Sequence, residues 1–156
     1  MGRLYTATFR AVAVTAAQDL FAIVAPTDAV VAIHDIDISQ TSDVGDAAEE
    51  LIRVSLKSGA SSAGSGGTLT TAIPIQYGDA AFGGTVRIND TTIATSGTIV
   101  VHRSTAWNVR APLNIIFTPE TRPILSPSRR FVVGLIVAPA DSLTMNGTIT
   151  FEEIGG

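Results

Sequence analysis

The stretch LIRVSLK, residues 51–57, decides the fold class of this chain. Apolar side chains occupy every second position, at Ile52, Val54 and Leu56, and polar side chains stand between them. Successive side chains of a β-strand point to opposite faces of the sheet, so this period of two indicates one buried and one solvated face. The segment therefore predicts a half-buried antiparallel strand.

The same period recurs along the chain, and other segments are apolar throughout. Leu113, Ile115 and Phe117 share one face of LNIIFTP, and the N-terminal and C-terminal segments alternate in the same way. Continuous runs rich in Val and Ile are typical of central strands covered on both faces, or on one face by a neighbouring subunit. Such runs lie at residues 19–26, 29–39 and 130–139.

Short turn-forming stretches separate these segments at regular intervals. About eight to ten short strands joined by such turns predict a β-sandwich or jelly roll. We therefore expect a single all-β domain over residues 1–156, an antiparallel β-sandwich of jelly-roll-like form. Residues 58–68, rich in Gly and Ser, predict a small flexible surface loop within this domain.

Two local features leave alternatives. Asn146-Gly147 is typical of a type I′ hairpin turn, but a bulge inside one long final strand fits equally well. Residues 44–52 are the one segment with a helical signal, a turn or two in which Asp46 and Glu49 form a loose capping box.

The composition limits the partners and the chemistry. Charged residues make up 15% of the chain against 46% hydrophobic residues, which suggests that part of the surface faces other protein. The net charge of -4, without any basic run, argues against nucleic acid. The longest apolar run is too short to span a bilayer, and the N-terminus does not resemble a signal peptide, so we expect no membrane partner. Cys is 0, which excludes disulfides and thiolate chemistry.

An acidic cluster precedes the opening strand. Asp43, Asp46, Glu49 and Glu50 are oxygen ligands of the kind Ca²⁺ binds, but their spacing does not fit the twelve-residue calcium loop. We interpret the cluster as a solvated loop with helix-cap carboxylates, or as one side of an intersubunit salt bridge. No metal and no cofactor are predicted.

Catalytic signals are weak. In HDID, the period of two places His34 on one strand face with Ile36, and Asp35 with Asp37 on the other. We expect these two carboxylates to pair with arginines across a sheet. His102 is the second of only two histidines, and neither lies in a recognisable catalytic setting, so no catalytic residue is assigned.

The basic residues favour an assembly component. Nine of the ten Lys and Arg residues are arginines, whose planar guanidinium suits bidentate pairing at interfaces, and the tenth is Lys57. Trp107 is either a sugar-stacking platform or, as is more usual for a lone Trp, a core or interface residue. The predicted interface residues are Asp43, Asp46, Glu49, Glu50, Arg53, Arg103, Arg110 and Trp107.

Three stretches carry a resemblance that extends over the chain: LFAIVAPTDAVVAIHDIDISQTSDVGDAAEELIRVSL (20–56), NVRAPL (108–113) and APADSLTMNGTITFEEI (138–154). In these stretches and in their order, the chain resembles small virion-associated structural proteins of tailed bacteriophages, of the capsid decoration or cement type. The resemblance carries over no catalytic residue.

The resemblance implies a jelly-roll-like sandwich on the phage particle, often a symmetric homotrimer. Its implied partners are further copies of itself and the phage major capsid protein, and its implied location is the virion surface after synthesis in the bacterial cytoplasm. Three alternatives remain open: a tail, baseplate or head-fibre component, a carbohydrate-binding receptor module, and a small jelly-roll enzyme.

Overall fold

A computed structural model describes residues 2–41 and 50–155 of the chain. The described residues form strands, turns and loops and contain no helix, which confirms the all-β prediction. The predicted helical turn falls on residues 44–52; most of that segment, with Asp46 and Glu49, lies outside the described residues, and its end belongs to a strand. The strands are β1 (Arg3–Val14), β2 (Gln18–Val24), β3 (Ala29–Gln40), β4 (Leu51–Ala60), β5 (Thr68–Thr70), β6 (Ile73–Pro74), β7 (Thr85–Asp90), β8 (Gly97–Asn108), β9 (Leu113–Ile116), β10 (Ile124–Leu125), β11 (Arg130–Leu135) and β12 (Leu143–Gly155).

The strands form two antiparallel sheets that pack face to face. Sheet A has the order β10-β3-β12-β1-β6, with β9 on the same edge of β3 as β10. Sheet B has the order β5-β7-β2-β11-β4-β8. Without β5, β6 and β7, and with β9 and β10 counted as one interrupted edge strand, four strands remain in each sheet. The chain then changes sheet at every step except from β4 to β8, which is jelly-roll connectivity. The predicted antiparallel β-sandwich of jelly-roll-like form is therefore confirmed.

Residues 61–96, between β4 and β8, are an addition to this eight-stranded plan, and we call them the insertion. Its strands β5 and β7 extend sheet B beyond β2, and β6 extends sheet A beyond β1. Phe82 of the insertion packs against the rings of Tyr5 and Phe151, with centroids 5.4 and 4.9 Å away. The insertion is thus joined to the core of both sheets.

The core lies between the two sheets and follows the predicted alternation. In β4, Ile52, Val54 and Leu56 are at most 2% exposed. In β1 the buried positions change parity, since Phe9 and Val14 are both buried. The register shift between Phe9 and Val12 explains this change, because an extra residue in a bulge moves the following side chains to the other face.

Asn146 and Gly147 lie inside the single long strand β12, so the hairpin alternative is wrong. The bulge at this point belongs to the neighbouring strand β1, where Ala11 adopts φ 50 and its N–H donates to Asn146 Oδ1 at 2.9 Å. A Cβ at position 147 would lie 2.4 Å from a ring carbon of Phe9. Gly147 is therefore required by the packing of Phe9 and not by a turn.

A second bulge corrects the expected faces of β3. Its register against β12 shifts between Thr150 and Phe151, opposite His34. Ile36 lies in the core, whereas His34 Nε2 contacts Glu152 Oε2 at 3.1 Å. His34 therefore does not share the face of Ile36, because a strict period of two does not continue through a bulge.

The insertion covers the outer face of sheet B. Residues 61–67 and 91–96 cross between the β4–β8 side and the β5–β7 side as antiparallel segments, and the backbones of Ser65 and Thr92 bond reciprocally at 3.0 and 2.9 Å. A Cβ on Gly64 would lie 2.2 Å from the Thr92 carbonyl oxygen, so this close approach requires glycine. Residues 61–67 of the predicted surface loop (58–68) are thus the first of two crossings that cover sheet B, and the ends of that predicted loop belong to β4 and β5.

A charged pair lies beneath these crossings. Asp19 Oδ1 accepts from Lys57 Nζ at 3.3 Å, and its Oδ2 accepts from the Ala94 N–H of the insertion at 2.7 Å. The Asp19 and Lys57 side chains are 0% and 10% exposed, and Gly134 leaves the room for them, since a Cβ there would lie 2.9 Å from Asp19 Oδ1. Asp19 therefore joins β2, β4 and the insertion.

We expect Asp19→Ala to lower the free energy of unfolding by about 3–5 kcal/mol, because it leaves the Lys57 ammonium and the Ala94 N–H buried without an acceptor. Urea unfolding measures this loss, with the exposed Asp141→Ala as a matched control that changes stability by less than about 0.5 kcal/mol. The double variant Asp19→Ala/Lys57→Met is expected to recover part of the loss. Equal stability of wild type and Asp19→Ala would show that the pair does not secure the insertion.

The same pair gives stability a defined pH dependence. Burial raises the pKa of the Asp19 carboxyl above its ordinary 3.8, against the opposing effects of the Ala94 N–H and Lys57. A raised folded pKa means that protonation of Asp19 favours the folded state. This proton-dependent part of its contribution to stability is fully present below pH 3.8 and is lost as the pH rises through the folded pKa, in addition to the contacts with Lys57 and the Ala94 N–H. We expect the stability advantage of wild type over Asp19→Ala, measured by urea unfolding, to be larger at pH 3.5 than at pH 7. An advantage that grows with pH would contradict this sign.

Candidate functional site

The sandwich has two lateral sides on which sheet edges are exposed. On one, which we call the β8 side, the edge strand β8 lies beside β9 and β10 of sheet A. On the opposite side, which we call the β5–β6 side, both edges belong to the insertion. These sides differ in sequence and in construction.

The β8 side presents a long edge strand with apolar side chains. β8 has 12 residues and, within the described ranges, pairs only with β4, so its other edge leaves backbone N–H and C=O groups open to a partner. Natural edge strands are usually short or protected by Lys or Pro, and β8 contains neither. Four large apolar residues are exposed here, namely Val100, Val101, Ile116 and Ile124.

A shallow groove runs between β8 and the segment that joins β9 to β10. It consists of two adjoining cavities of about 280 Å³ each, which share His102 and Pro123. Each is smaller than the usual small-molecule site of about 300–1,000 Å³. The groove is therefore better suited to the side chains of a protein partner than to a buried metabolite.

One contact in this groove resembles part of a catalytic group. Ser58 Oγ lies 2.6 Å from His102 Nε2. Acyl transfer by such a pair also needs a group that orients the second ring nitrogen and donors for the oxyanion. Within the part of the chain that the structure describes, no carboxylate bonds to His102, and we assign this pair no reaction.

The β5–β6 side is also apolar. Ile73, Ile75 and Leu69 are each more than half exposed, and Tyr77 is fully exposed at 102%. Asp79 follows in the same turn, where its N–H donates to the Gln76 carbonyl oxygen at 3.2 Å. The side therefore combines an apolar surface with a carboxylate.

The acidic cluster of the sequence is only partly described. Asp43, Asp46 and Glu49 lie outside the described residues. Glu50 Oε1 accepts from the Ala140 N–H at 2.6 Å, and the Glu50 carbonyl oxygen accepts from the Val109 N–H at 3.1 Å. Glu50 thus fixes the start of β4 against two neighbouring segments, and its interface role stays a prediction.

The three predicted interface arginines are all exposed, but they do not form one patch. Arg103 lies on the β8 side, opposite Leu56, whereas Arg53 and Arg110 lie toward the other end of β4 and β8. Arg53 is opposite Ala106, three residues or about 10 Å along the strands from Arg103, and it belongs to β4, which lies between β11 and β8 and has no free edge. Only Arg103 therefore belongs to the exposed edge.

Trp107 is not a surface residue, which corrects its assignment to an interface or a sugar platform. It is 2% exposed in the core, and its Nε1–H donates to the Ala111 carbonyl oxygen at 2.6 Å. Its position opposite Ile52 on β8 turns the ring inward. The fully exposed aromatic ring is that of Tyr77.

Three arginine–carboxylate pairs have a defined geometry within the described part of the chain. The pairs are Arg3–Glu153 at 2.5 Å, Arg87–Asp90 at 2.6 Å and Arg122–Glu152 at 3.8 Å. The expected arginine partners of Asp35 and Asp37 are not found among the described residues, and Asp37 instead accepts from Asn114 Nδ2 at 3.3 Å on the neighbouring strand. The neighbouring strand β9 carries no arginine, so the partner it offers Asp37 is the amide of Asn114.

Three further observations bear on function. Among residues 2–41 and 50–155, no group of three or more His, Asp or Glu side chains is arranged to hold a metal ion. No helix in that same part of the chain is long and apolar enough to cross a membrane. Searches against protein-family models, curated proteins and solved structures find no match.

Sequence reasoning missed the apolar residues of the two edges. Val100 and Val101 are adjacent, so they interrupt the period of two. This interruption was the one sequence signal that apolar side chains of this strand are exposed. Alternation identifies which face of a strand is buried, but it does not identify which strand lies at an edge.

We expect Trp107→Ala to lower the free energy of unfolding by about 3–5 kcal/mol, as for other buried tryptophans. Tyr77→Ala, which removes an exposed ring, is the control and is expected to stay within about 0.5 kcal/mol of wild type. Thermal unfolding followed by circular dichroism measures both. A Trp107→Ala variant with wild-type stability would mean that the indole is not part of the core.

Proposed function

We propose that this chain is a non-enzymatic structural protein of a phage virion, a capsid decoration (cement) protein that binds the outer surface of the head and stabilises it. The observation that carries the proposal is the exposure of long or apolar sheet edges on two sides of one small sandwich. Such edges are rare on proteins that act alone, because they promote association. The resemblance to virion-associated proteins and the jelly-roll connectivity support the same proposal.

The mechanism is one of mass action. A protein that binds only the expanded, mature shell stabilises that state by the free energy of binding, which is about 2.7 kcal/mol at a free concentration one hundred times Kd. Many weak sites on one shell add up, so that modest affinity at each site resists the internal pressure of packaged DNA. No catalytic group is needed for this role.

The end of the sandwich around Glu50, Arg53 and Arg110 is the proposed contact with the major capsid protein. Arg53 and Arg110 are exposed there, and the half-buried Glu50 adds a carboxylate. Charges of both signs at one end suit docking against the mixed charges of a capsid surface. The two lateral sides then remain available for neighbouring copies.

A tail, baseplate or head-fibre protein is the alternative, since it would use the same edges for assembly. Copy number separates the two roles: a decoration protein is present at many equivalent positions of the shell, whereas a tail or fibre component is present in few copies. Position on the particle separates them as well.

The test uses particles of the phage or prophage that encodes this chain. We expect quantitative mass spectrometry to find a copy number comparable with that of the major capsid protein, and electron cryomicroscopy to place the protein on the outside of the head. We also expect particles that lack it to release DNA at a lower temperature in a dye-accessibility assay.

Adding back purified protein is expected to restore the release temperature of such particles. The variant Arg53→Glu/Arg110→Glu is expected to restore it less well, with Thr27→Glu, at an exposed position of the β2–β3 turn at the opposite end of the sandwich, as the control. A low copy number confined to the tail would replace this proposal with its alternative.

A further inference from the structure

The two lateral sides of the sandwich differ in origin. The β8 side consists of strands of the eight-stranded jelly roll, whereas the β5–β6 side is formed by the insertion. Because the sheets run between them, the two sides lie at opposite edges of the same subunit. A subunit that contacts one neighbour on each side must therefore use two different patches.

Both sides carry the apolar surface expected of a contact. Val101 and Ile124 are 53% and 61% exposed on the β8 side, and Ile75 and Tyr77 are 56% and 102% exposed on the β5–β6 side. Val101 lies on the edge strand β8 and Ile124 on the two-residue strand β10, whereas Ile75 and Tyr77 follow the two-residue strand β6. A neighbouring chain can approach the backbone at each of these positions. Neither patch is covered by the part of the chain that the structure describes.

The two sides differ in their balance of charge, and the β8 side includes a carboxylate, that of Glu120, in the segment that joins β9 to β10. Arg103 and Arg129 are exposed along the groove of the β8 side, next to His102. The insertion contains three charged residues, and two of them, Arg87 and Asp90, pair with each other. Its remaining charge is the carboxylate of Asp79, in the turn beside Tyr77. Two exposed arginines and Glu120 on the β8 side thus stand against the carboxylate of Asp79 on the β5–β6 side, which gives the two patches net charges of opposite sign.

We propose that the β8 side of one copy binds the β5–β6 side of the next, so that the chain associates head to tail into a closed ring. A contact between two different patches of the same chain is heterologous, and it produces a ring where the rotation closes. The proposal deepens the proposed function by naming the surface through which copies of the decoration protein join, and it rests on that function only for its biological setting.

A two-fold pairing of β8 with β8 is the competing arrangement. It would bring two copies of Arg103 toward each other along one edge, and like charges across a contact are unfavourable. It would also leave the apolar β5–β6 side uncovered. Both features favour the head-to-tail arrangement.

The test separates the sides with two variants of exposed residues. Val101→Glu/Ile124→Glu blocks the β8 side, and Ile75→Arg/Tyr77→Arg blocks the β5–β6 side. Neither variant changes a buried residue, and circular dichroism checks that both are folded. Leu51→Glu, which changes a 71% exposed residue on neither side, is the control.

Light scattering on a sizing column gives the readout. We expect wild type and Leu51→Glu to form one oligomer of the same mass, and each blocked variant alone to run as a monomer of 16.2 kDa. An equimolar mixture of the two blocked variants is expected to form a 1:1 dimer, because each retains the patch that the other lacks. Only a heterologous contact produces this result.

Two results would overturn the inference. If Ile75→Arg/Tyr77→Arg assembles as wild type does, the contact is a β8–β8 pairing. If wild type is a monomer at about 100 μM, no head-to-tail contact forms between free copies. Neither result touches the decoration proposal, which the particle experiments decide separately.

Discussion

The carboxylate of Asp19 is the constraint on which much of the structure depends. It is fully buried, and it accepts one hydrogen bond from Lys57 of the sandwich and one from the Ala94 N–H of the insertion. A buried carboxylate is tolerated only where its oxygens find donors, so the chain between β7 and β8 must cross this point. The crossing in turn holds β5, β6 and β7 at the far edge of the sandwich. The insertion is therefore an ordered part of the molecule and provides one of its two lateral sides.

Burial of the outer face of sheet B leaves the lateral edges as the places where another chain can add to the fold. A jelly roll of two open sheets always has such edges, and proteins usually shorten them or protect them with charge. Here β6 is short and includes Pro74, whereas β8 is long and carries Val100 and Val101 in exposed positions. This unequal treatment of the two sides is what the proposed oriented contact between copies requires.

The sequence predicted the strands well and their faces less well. The alternation in β4 and the apolar run of β11 identified core strands, because burial on one or both faces selects residue types directly. The faces of His34 and of the second half of β1 were not predicted, since each lies at a bulge and a single extra residue reverses the alternation that follows. Trp107 was assigned to an interface for a related reason: residue type indicates that a ring seeks burial, but not whether the core or a partner supplies it.

By itself the sequence determined that the chain is a single all-β sandwich without an evident catalytic or metal-binding motif, because strand periodicity and residue inventory are local properties. Only the tertiary structure decided that residues 61–67 and 91–96 cross the outer face of sheet B and that β8 lies at an edge. It also decided that Arg53 and Arg103, about 10 Å apart along β4 and β8, do not form one patch. The physical reason is that most contacts in this fold join residues far apart in the chain. Strand order and edge position follow from those distant pairings, which no local pattern encodes.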